Sequence, residues 1–356
     1  LLLIVLGMYA GIGFYYRTHF LEHATINGTD VSDLTAEEAK ERLADEIQFY
    51  RFQQYWFFKQ WTELKTYANE KGVEIIGDVP IYVAFDSADA WAQPELFQFD
   101  KENIPIGVAG CPPDAFSATG QLWGNPLYDW EYHRKTGYDW WILRIGYSYR
   151  LYDIVRVDHF RGFEAYFSIP YGDETAVNGH WEKGPDFELF AAMKMKLGKK
   201  EMIAEDLGVI TPPVRKMIKK CGYPGMKVLQ FAFDSYDSEY LPHNYDKNCI
   251  VYTGTHDNQT TRGWYEENNR KVQKYIREYL RVKSGKDVVE AMIATAMSST
   301  AGTAVIPMQD WLGLGREARM NFPSTLGDNW KWRLTDGQLT DALAAHMKDV
   351  TKTYCR

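Results

Sequence analysis

The fold is indicated first by the run Tyr152-Asp153-Ile154-Val155-Arg156-Val157-Asp158-His159-Phe160-Arg161. Its apolar, β-branched residues are interrupted by Arg156 and end in the carboxylate of Asp158, a pattern typical of a buried strand. The pattern recurs over residues 200–206, which contain Glu205, and over residues 250–258, which contain Asp257. About fifty residues separate consecutive acids, which is enough for a crossover helix. Three strands that each end in an acid predict a parallel barrel with its chemistry at one rim.

The rest of the chain extends this alternation of strands and helices. Strands are predicted over residues 73–78, 153–158, 202–205, 227–233, 250–255 and 303–307, and helices over 47–70, 140–152, 186–197 and 270–282. Such alternation is typical of an α/β parallel sheet. Residues 110–128 are rich in Gly, Pro and aromatic residues, and they are predicted to form an ordered loop that covers the barrel rim as a lid. A purely structural turn is the alternative.

Composition excludes some classes of function. The 356 residues carry a net charge of −8, which argues against nucleic acid as the main partner. Aromatic residues reach 15%, and exposed rings suit the apolar faces of sugars, although core packing accounts for many of them. The four cysteines are widely spaced and form no CxxC pair, so neither a disulfide framework nor a zinc site is indicated, and a reducing compartment fits best.

The N-terminal part differs in character. Residues 1–17 form a hydrophobic segment, predicted to be a helix that acts as a membrane anchor or uncleaved signal, with a buried helix as the alternative. Residues 18–45 form a small module, in which Asn27-Gly28 is a turn signal and Thr35 and Glu38 have the spacing of a capping box. The first 45 residues resemble the membrane-proximal module that precedes L,D-transpeptidase domains in Gram-positive bacteria. A third domain is predicted over residues 46–356.

Four motifs in this third domain carry a second resemblance. They are Gly120-Gln121-Leu122-Trp123-Gly124-Asn125-Pro126, Arg156-Val157-Asp158-His159-Phe160-Arg161-Gly162-Phe163, Ala204-Glu205-Asp206-Leu207-Gly208 and Gly254-Thr255-His256-Asp257-Asn258. These motifs resemble those of the amylomaltases, also called disproportionating enzymes or 4-α-glucanotransferases, of the α-amylase clan. The likeness covers roughly residues 46–352. It implies an incomplete (β/α)8 TIM-type barrel whose six strands are equivalent to the third to the eighth of the family.

The resemblance implies catalysis by three carboxyl groups. Asp158 corresponds to the nucleophile, Glu205 to the acid/base and Asp257 to the residue that stabilises the oxocarbenium-like state. Retaining cleavage of a glycosidic bond needs such a pair of carboxyl groups, about 5 to 5.5 Å apart. Arg156 is expected to stabilise the charged nucleophile, and acidic neighbours including Asp206 are expected to raise the pKa of Glu205.

The resemblance also implies the contacts with substrate. The expected substrate-binding residues are Arg156, His159, His256, Asp78, Gln121, Trp123, Asp310 and Asn321. Trp123 is expected to be a stacking surface of a lid that excludes water. A metal interpretation of the His-Asp pairs is disfavoured because no HExxH or other compact ligand set occurs, so neither a metal nor an organic cofactor is expected.

The function implied is transfer of α-1,4-glucan segments between maltooligosaccharides, with amylose or glycogen as further donors and acceptors. The resemblance implies a cytoplasmic enzyme, whereas residues 1–17 favour a membrane-anchored one. Three alternatives stay open at this point: a hydrolase of the same clan, a catalytically impaired glucan-binding membrane protein, and a peptidoglycan-linked module that binds cell wall through residues 20–45.

Overall fold

The computed structural model describes residues 13–113, 117–323, 325 and 327–356. Most of the predicted hydrophobic segment 1–17 therefore lies outside the described residues. Among the helices that are described, none is both long enough and apolar enough to cross a membrane. The chain divides into two compact units, Leu1–Ile75 and Ile76–Arg356. The predicted domain boundary at residues 45/46 stays a prediction.

The first unit contains a short hairpin and two helices. Strands β1 (Thr25–Ile26) and β2 (Thr29–Asp30) pair antiparallel around Asn27 and Gly28, whose φ angles of 51° and 80° are left-handed. Two left-handed central residues are typical of the tight turn that suits a two-residue hairpin, so the turn prediction is confirmed. The predicted capping box is present at the start of helix α1 (Ala36–Arg42). Helix α2 (Ala44–Glu70) then covers the predicted helix over residues 47–70.

Within the described residues, the second unit contains six parallel strands in two hydrogen-bonded groups. They are β3 (Ile76–Val79), β6 (Ile154–Val157), β9 (Met202–Ala204), β10 (Gly225–Val228), β11 (Cys249–Tyr252) and β12 (Thr303–Val305). The first three strands pair in chain order, and so do the last three. All six predicted strands exist, so the α/β class is confirmed. The predicted strand over residues 227–233 is wrong in its second half, because Leu229–Phe233 turns into a 3-10 helix at the rim.

Helices connect these strands. In chain order they are α3 (Ala88–Ala92), α4 (Trp130–Lys135), α5 (Asp139–Leu151), α6 (Phe187–Leu197), α7 (Pro212–Cys221), α8 (Thr261–Glu267), α9 (Arg270–Leu280), α10 (Val288–Ser298), α11 (Met308–Trp311) and α12 (Asp341–Thr353). The predictions over residues 140–152, 186–197 and 270–282 are confirmed to within about two residues at each end.

A four-stranded antiparallel sheet is inserted between the parallel strands. Its strands lie in the order β5 (Gln121–Pro126), β4 (Gly107–Cys111), β7 (Ala165–Pro170) and β8 (His180–Lys183). The prediction that residues 110–128 form a loop is therefore wrong in part, because residues 110–111 end β4 and residues 121–126 form β5. Its glycine content permits close pairing: a Cβ on Gly110 would lie 2.2 Å from the carbonyl oxygen of Gln121.

The core fixes the strand ends where the predicted acids lie. Val155 and Val157 of β6 are fully buried in a cluster that also includes Trp141 of α5 and Leu189 of α6. Val251 of β11 is buried in a second cluster with residues of α9 and α10. Burying one large apolar side chain contributes about 1.5 to 3 kcal/mol, so these contacts hold the strands firmly against their helices. The acids that follow the strands consequently start from fixed backbone positions.

Candidate active site

The parallel pairing of β3, β6 and β9 brings two of the three predicted acids to one edge. Val157 pairs with Ala204, so Asp158 and Glu205 directly follow neighbouring strands. The amide of Asp158 donates to the carbonyl of Val79 at 3.0 Å, and the amide of Glu205 donates to the carbonyl of Val157 at 3.1 Å. These bonds extend the strand ladder through both acids. The backbone under the two carboxyl groups is therefore fixed before any substrate binds.

Arg156 connects two carboxylates at this edge. Its Nη1 donates to both oxygens of Asp78, at 2.6 and 2.7 Å, and its Nη2 donates to Oδ1 of Asp158 at 2.7 Å. Burial alone would lower the pKa of Arg156, but the charges of Asp158 and Asp78 raise it above its ordinary value. The guanidinium therefore stays charged and holds both carboxylates in place.

Glu205 lies in a different environment. Its side chain is buried, with 8% of the residue surface exposed, and its two oxygens accept from the amides of His159 at 2.7 Å and Leu207 at 2.6 Å. Burial raises the pKa of Glu205 to about 7, and the negative charge of Asp158 acts in the same direction. Arg156 and the two amides oppose the rise without cancelling it. Near neutral pH this carboxyl group can therefore hold or release a proton.

The expected contribution of Asp206 to this raised pKa is corrected. The side chain of Asp206 points toward β10, where its Oδ1 accepts from the amide of Met226 at 2.7 Å. The carboxylate of Asp206 is therefore held by the backbone of β10. The acidic neighbour that raises the pKa of Glu205 is Asp158.

His159 follows Asp158 in a left-handed backbone conformation, with a φ of 49°. Its Nε2 atom is buried and has no hydrogen-bond partner among the described residues. Burial lowers the pKa of His159 to about 4, so the ring is neutral at pH 7. The ring meets Trp123 edge-on at 4.8 Å, and Trp123 donates from Nε1 to Oε1 of Gln121 at 3.0 Å. Trp123 and Gln121 of β5 therefore lie beside the end of β6, as the lid prediction requires.

Asp257, the third predicted acid, lies in the loop after β11. Asn321 donates to Oδ1 of Asp257 at 2.7 Å, and Nε2 of His256 lies 3.3 Å from its Oδ2. Burial alone would raise the pKa of Asp257, but the bonds from His256 and Asn321 lower it below its ordinary value. The same bond to Asp257 raises the pKa of His256. Asn321 and His256 thus lie together with this acid, and their predicted contacts with sugar stay a prediction.

Asp310 is the predicted site residue whose surroundings differ most from the expectation. Only 3% of its surface is exposed, and its carboxylate accepts from the hydroxyl of Thr253 at 2.6 Å and from the amide and hydroxyl of Thr261 at 2.8 and 2.7 Å. These three donors link the end of β11 to the start of α8. The role of Asp310 as a sugar contact stays a prediction, and its observed bonds are structural.

A cavity of about 340 Å³ lies at this edge of the parallel strands. Asp78, Arg156 and His256 line it, together with Trp330, which the sequence reasoning missed. The sequence around Trp330 gives only a weak indication of a binding role, because the residue lies in an irregular segment without a periodic pattern. Within the described ranges, no group of three His, Cys, Asp or Glu side chains is arranged to hold a metal ion.

Comparison with known proteins assigns the chain to a family. A sequence model described as 4-alpha-glucanotransferase matches residues 23–340. The chain belongs to the 4-alpha-glucanotransferase family. This family match begins within the predicted module 18–45, and the resemblance of the first 45 residues to a transpeptidase module stays a prediction.

Individual members of the 4-alpha-glucanotransferase family support the assignment. The chain is 51% identical to the 4-alpha-glucanotransferase of Clostridium butyricum over 90% of its own length and 66% of that protein. It is 52% identical to the enzyme of Streptococcus pneumoniae, again over 90% of this chain and 64% of the relative. The structure of amylomaltase from Streptococcus agalactiae in complex with acarbose matches with 43% identity and a TM-score of 0.87, covering 90% of this chain and 66% of that one. The chain therefore spans about two thirds of the length of the curated relatives it matches.

Proposed function

We propose that this chain carries the catalytic site of a 4-α-glucanotransferase, which transfers α-1,4-glucan segments between maltooligosaccharides with retention of configuration. The observation that carries the proposal is the contrast between Asp158 and Glu205 on neighbouring strands. Asp158 is held by Arg156 at 2.7 Å, whereas burial raises the pKa of Glu205 to about 7. One ionised carboxylate beside one carboxyl group that can keep its proton is what a retaining mechanism needs. The family membership supports the same chemistry.

The reaction proceeds in two displacements. In the first, a carboxylate oxygen of Asp158 bonds to the anomeric carbon while the glycosidic bond breaks, and Glu205 gives its proton to the leaving oxygen. In the second, Glu205 takes the proton of an acceptor hydroxyl, whose oxygen bonds to the anomeric carbon as Asp158 is released. Asp257, held by Asn321, stabilises the positive charge that develops in both transition states.

The remaining predicted residues bind the glucan in this proposal. His159 and His256 donate to sugar hydroxyls, and Asp78, Arg156 and His256 line the cavity. Gln121 and Trp123 of β5 shield the covalent intermediate from water and favour a glucan acceptor. Maltooligosaccharides, amylose or glycogen are the proposed donors and acceptors. The family resemblance supports a cytoplasmic enzyme.

Labelling of the nucleophile tests the proposal. The protein is incubated with a fluorinated α-glucosyl donor, and its peptides are examined by mass spectrometry. A glycosylated peptide containing Asp158 is expected in the parent and absent from Asp158→Asn, because the nearly isosteric amide cannot attack. Asp173→Asn, in the turn after β7, is the matched control and should keep the label. Labelling at Glu205 or Asp257 instead would overturn the assignment of the nucleophile.

Product analysis separates transfer from the alternative of hydrolysis. With maltotriose as the sole substrate, a transferase produces longer oligosaccharides together with glucose and maltose. A hydrolase of the same clan releases glucose and maltose without building longer chains. A catalytically impaired glucan-binding protein changes nothing in the mixture. Chromatography of the products over time therefore assigns the chain to one of the three classes.

We further propose that the six parallel strands form an incomplete (β/α)8 barrel, equivalent to the third to the eighth strand of the family. Among the described strands, β3 pairs only with β6, and β12 pairs only with β11. A parallel barrel has no free edges only when it is closed. Unpaired edges remove backbone hydrogen bonds and buried contacts from a fold whose total stability is about 5 to 15 kcal/mol.

Complementation tests the incomplete barrel. We expect residues 46–356 alone to be aggregated or loosely folded, with little transfer activity. A family-type N-terminal segment, joined to them or supplied as a separate polypeptide, should restore both folding and activity. Size exclusion, thermal melting and maltotriose disproportionation on the two forms measure this. A monodisperse, cooperatively melting and active short form would contradict the argument from closure.

A further inference from the structure

We propose that Trp330 forms an aromatic platform on which a glucosyl ring of the substrate stacks, in the cavity beside Asp257. This inference rests on the proposed glucanotransferase function and adds a binding residue to it. Trp330 lines the cavity of about 340 Å³ together with Asp78, Arg156 and His256. A sugar ring has an apolar face for an aromatic ring and hydroxyl groups for charged side chains. This cavity offers both kinds of partner.

The exposure of Trp330 is the first observation. The residue is 52% exposed, although a large aromatic side chain gains most free energy when it is buried. Its ring contacts His256 at 5.0 Å between centroids with a tilt of 42°, and about half of the residue surface stays exposed. An exposed ring at the wall of a polar cavity is suited to stacking with a ligand.

The backbone of Trp330 is the second observation. Its φ of 63° lies in the left-handed region, which is unfavourable for a bulky residue. The surrounding loop holds this conformation. The amide of Trp330 donates to the carbonyl of Met320 at 2.8 Å, and Arg333 donates to the carbonyl of Trp330 at 2.9 Å. Strained backbone persists where neighbouring contacts enforce it, and such positions cluster at ligand sites.

The loop also connects Trp330 to the third acid. The amide of Phe322 donates to Oδ1 of Asn329 at 2.9 Å, which links the residue after Asn321 to the residue before Trp330. Asn321 donates to Asp257 at 2.7 Å, and Arg319 donates to the carbonyl of Asp257 at 2.8 Å. The same loop therefore fixes both Asp257 and the tryptophan. A purely structural role for Trp330, namely support of His256 and Asp257, is the alternative that the experiment must separate.

Kinetics separate the two roles, because stacking changes KM and positioning of Asp257 changes kcat. Trp330→Ala should raise the KM for maltotriose about 3- to 10-fold with kcat within about 2-fold, as expected for loss of one aromatic contact. Trp330→Phe keeps a flat ring and should restore most of the affinity. Trp91→Ala, at a residue that is 83% exposed and absent from the cavity lining, is the matched control and should change neither constant.

Binding of acarbose, measured by calorimetry, gives a readout that does not need turnover. Trp330→Ala should weaken acarbose binding by the same factor that raises KM. Unchanged affinity and KM would overturn the inference, and so would a fall in kcat at constant KM. If Trp330→Ala does not fold in a thermal melt, Trp330→Leu decides the question by the same criteria, because it keeps bulk but lacks a flat face. A parent that binds acarbose through Trp330 but transfers no glucan would refute the proposed function and leave the stacking role standing.

Discussion

At the end of β6 the chain reads Asp158-His159, and after β11 it reads His256-Asp257. In the first pair the histidine ring has no bond to the acid beside it, and its pKa is lowered by burial to about 4. In the second pair the imidazole lies 3.3 Å from the acid, and its pKa is raised by that contact. His159 contacts Glu205 through its backbone amide, which donates to the carboxyl group at 2.7 Å. His256 contacts Asp257 through its side chain.

The difference shows that backbone geometry decides which part of a histidine contacts the neighbouring acid. The left-handed turn at His159 directs its amide toward Glu205 and packs its ring edge-on against Trp123. The loop at His256 leaves about a third of its side chain exposed and free to approach Asp257. Residue type alone does not distinguish these two sets of contacts.

The largest expected effect concerns the acid that the His159 amide holds. Glu205→Gln should lower the transfer rate about 10²- to 10⁴-fold, because general acid catalysis is lost. In the parent, the rate should fall as pH rises through about 7, since Glu205 must be protonated to start the reaction. A pH–rate profile with maltotriose measures both effects.

Two comparisons control this experiment. Asp206→Asn changes the next residue, which faces β10, and should keep the decline near pH 7. His159→Gln alters the ring but not the amide that binds Glu205, and it should also keep that decline. A loss of less than 10-fold in Glu205→Gln would contradict the assignment of the acid. If the fall of the transfer rate occurs at a different pH in His159→Gln, then the ring, and not only the amide, sets the protonation of Glu205.

Much of this arrangement could be predicted from the sequence, and the reasons are local. A β-branched run followed by an acid identifies β6 and Asp158, and Thr35 with Glu38 identifies a helix start, because both signals depend on neighbouring residues. The pairing of β4 with β5 was missed because contacts between two strands override the local preference of Gly and Pro. The surroundings of Asp310 depend on Thr253 and Thr261, some fifty residues away.

The second expected effect concerns the folding stability of His159→Gln and of His256→Gln, each compared with the parent. The two differences in stability should change with pH in opposite directions. The lowered pKa of His159 means that the unfolded chain takes up its proton first, so the parent loses stability as pH falls from 6.5 toward 4. His159→Gln removes this penalty, so its free energy of unfolding should exceed that of the parent by about 1 to 2 kcal/mol at pH 5.

His256→Gln should behave in the opposite way. The raised pKa of His256 gives stability that is present below about pH 6.5 and is lost as pH rises through the raised value. Asp257, with a lowered pKa, gives stability that is present above its ordinary pKa and lost as pH falls through the lowered one. The variant should therefore be less stable than the parent by about 0.2 to 1 kcal/mol between pH 5 and 6, and the difference should shrink by pH 8. Urea unfolding at pH 5, 6.5 and 8 measures the stability of both variants and of the parent. If the stability difference from the parent changes with pH in the same direction in both variants, the predicted contrast between the two histidines is refuted.

The smallest expected effect concerns the tryptophan beside His159. Trp123 lies on β5, its ring stands perpendicular to that of His159, and its side chain is only partly buried. Trp123→Ala removes a stacking contact of about 0.5 to 1.5 kcal/mol, which should shift the ratio of long oligosaccharides to free glucose about 2- to 10-fold toward hydrolysis. The covalent intermediate forms before the acceptor binds, so the rate of donor cleavage should change less than this ratio. Trp123→Phe is the matched variant and should keep most of the transfer. An unchanged product ratio in Trp123→Ala would contradict a role of Trp123 in binding the acceptor.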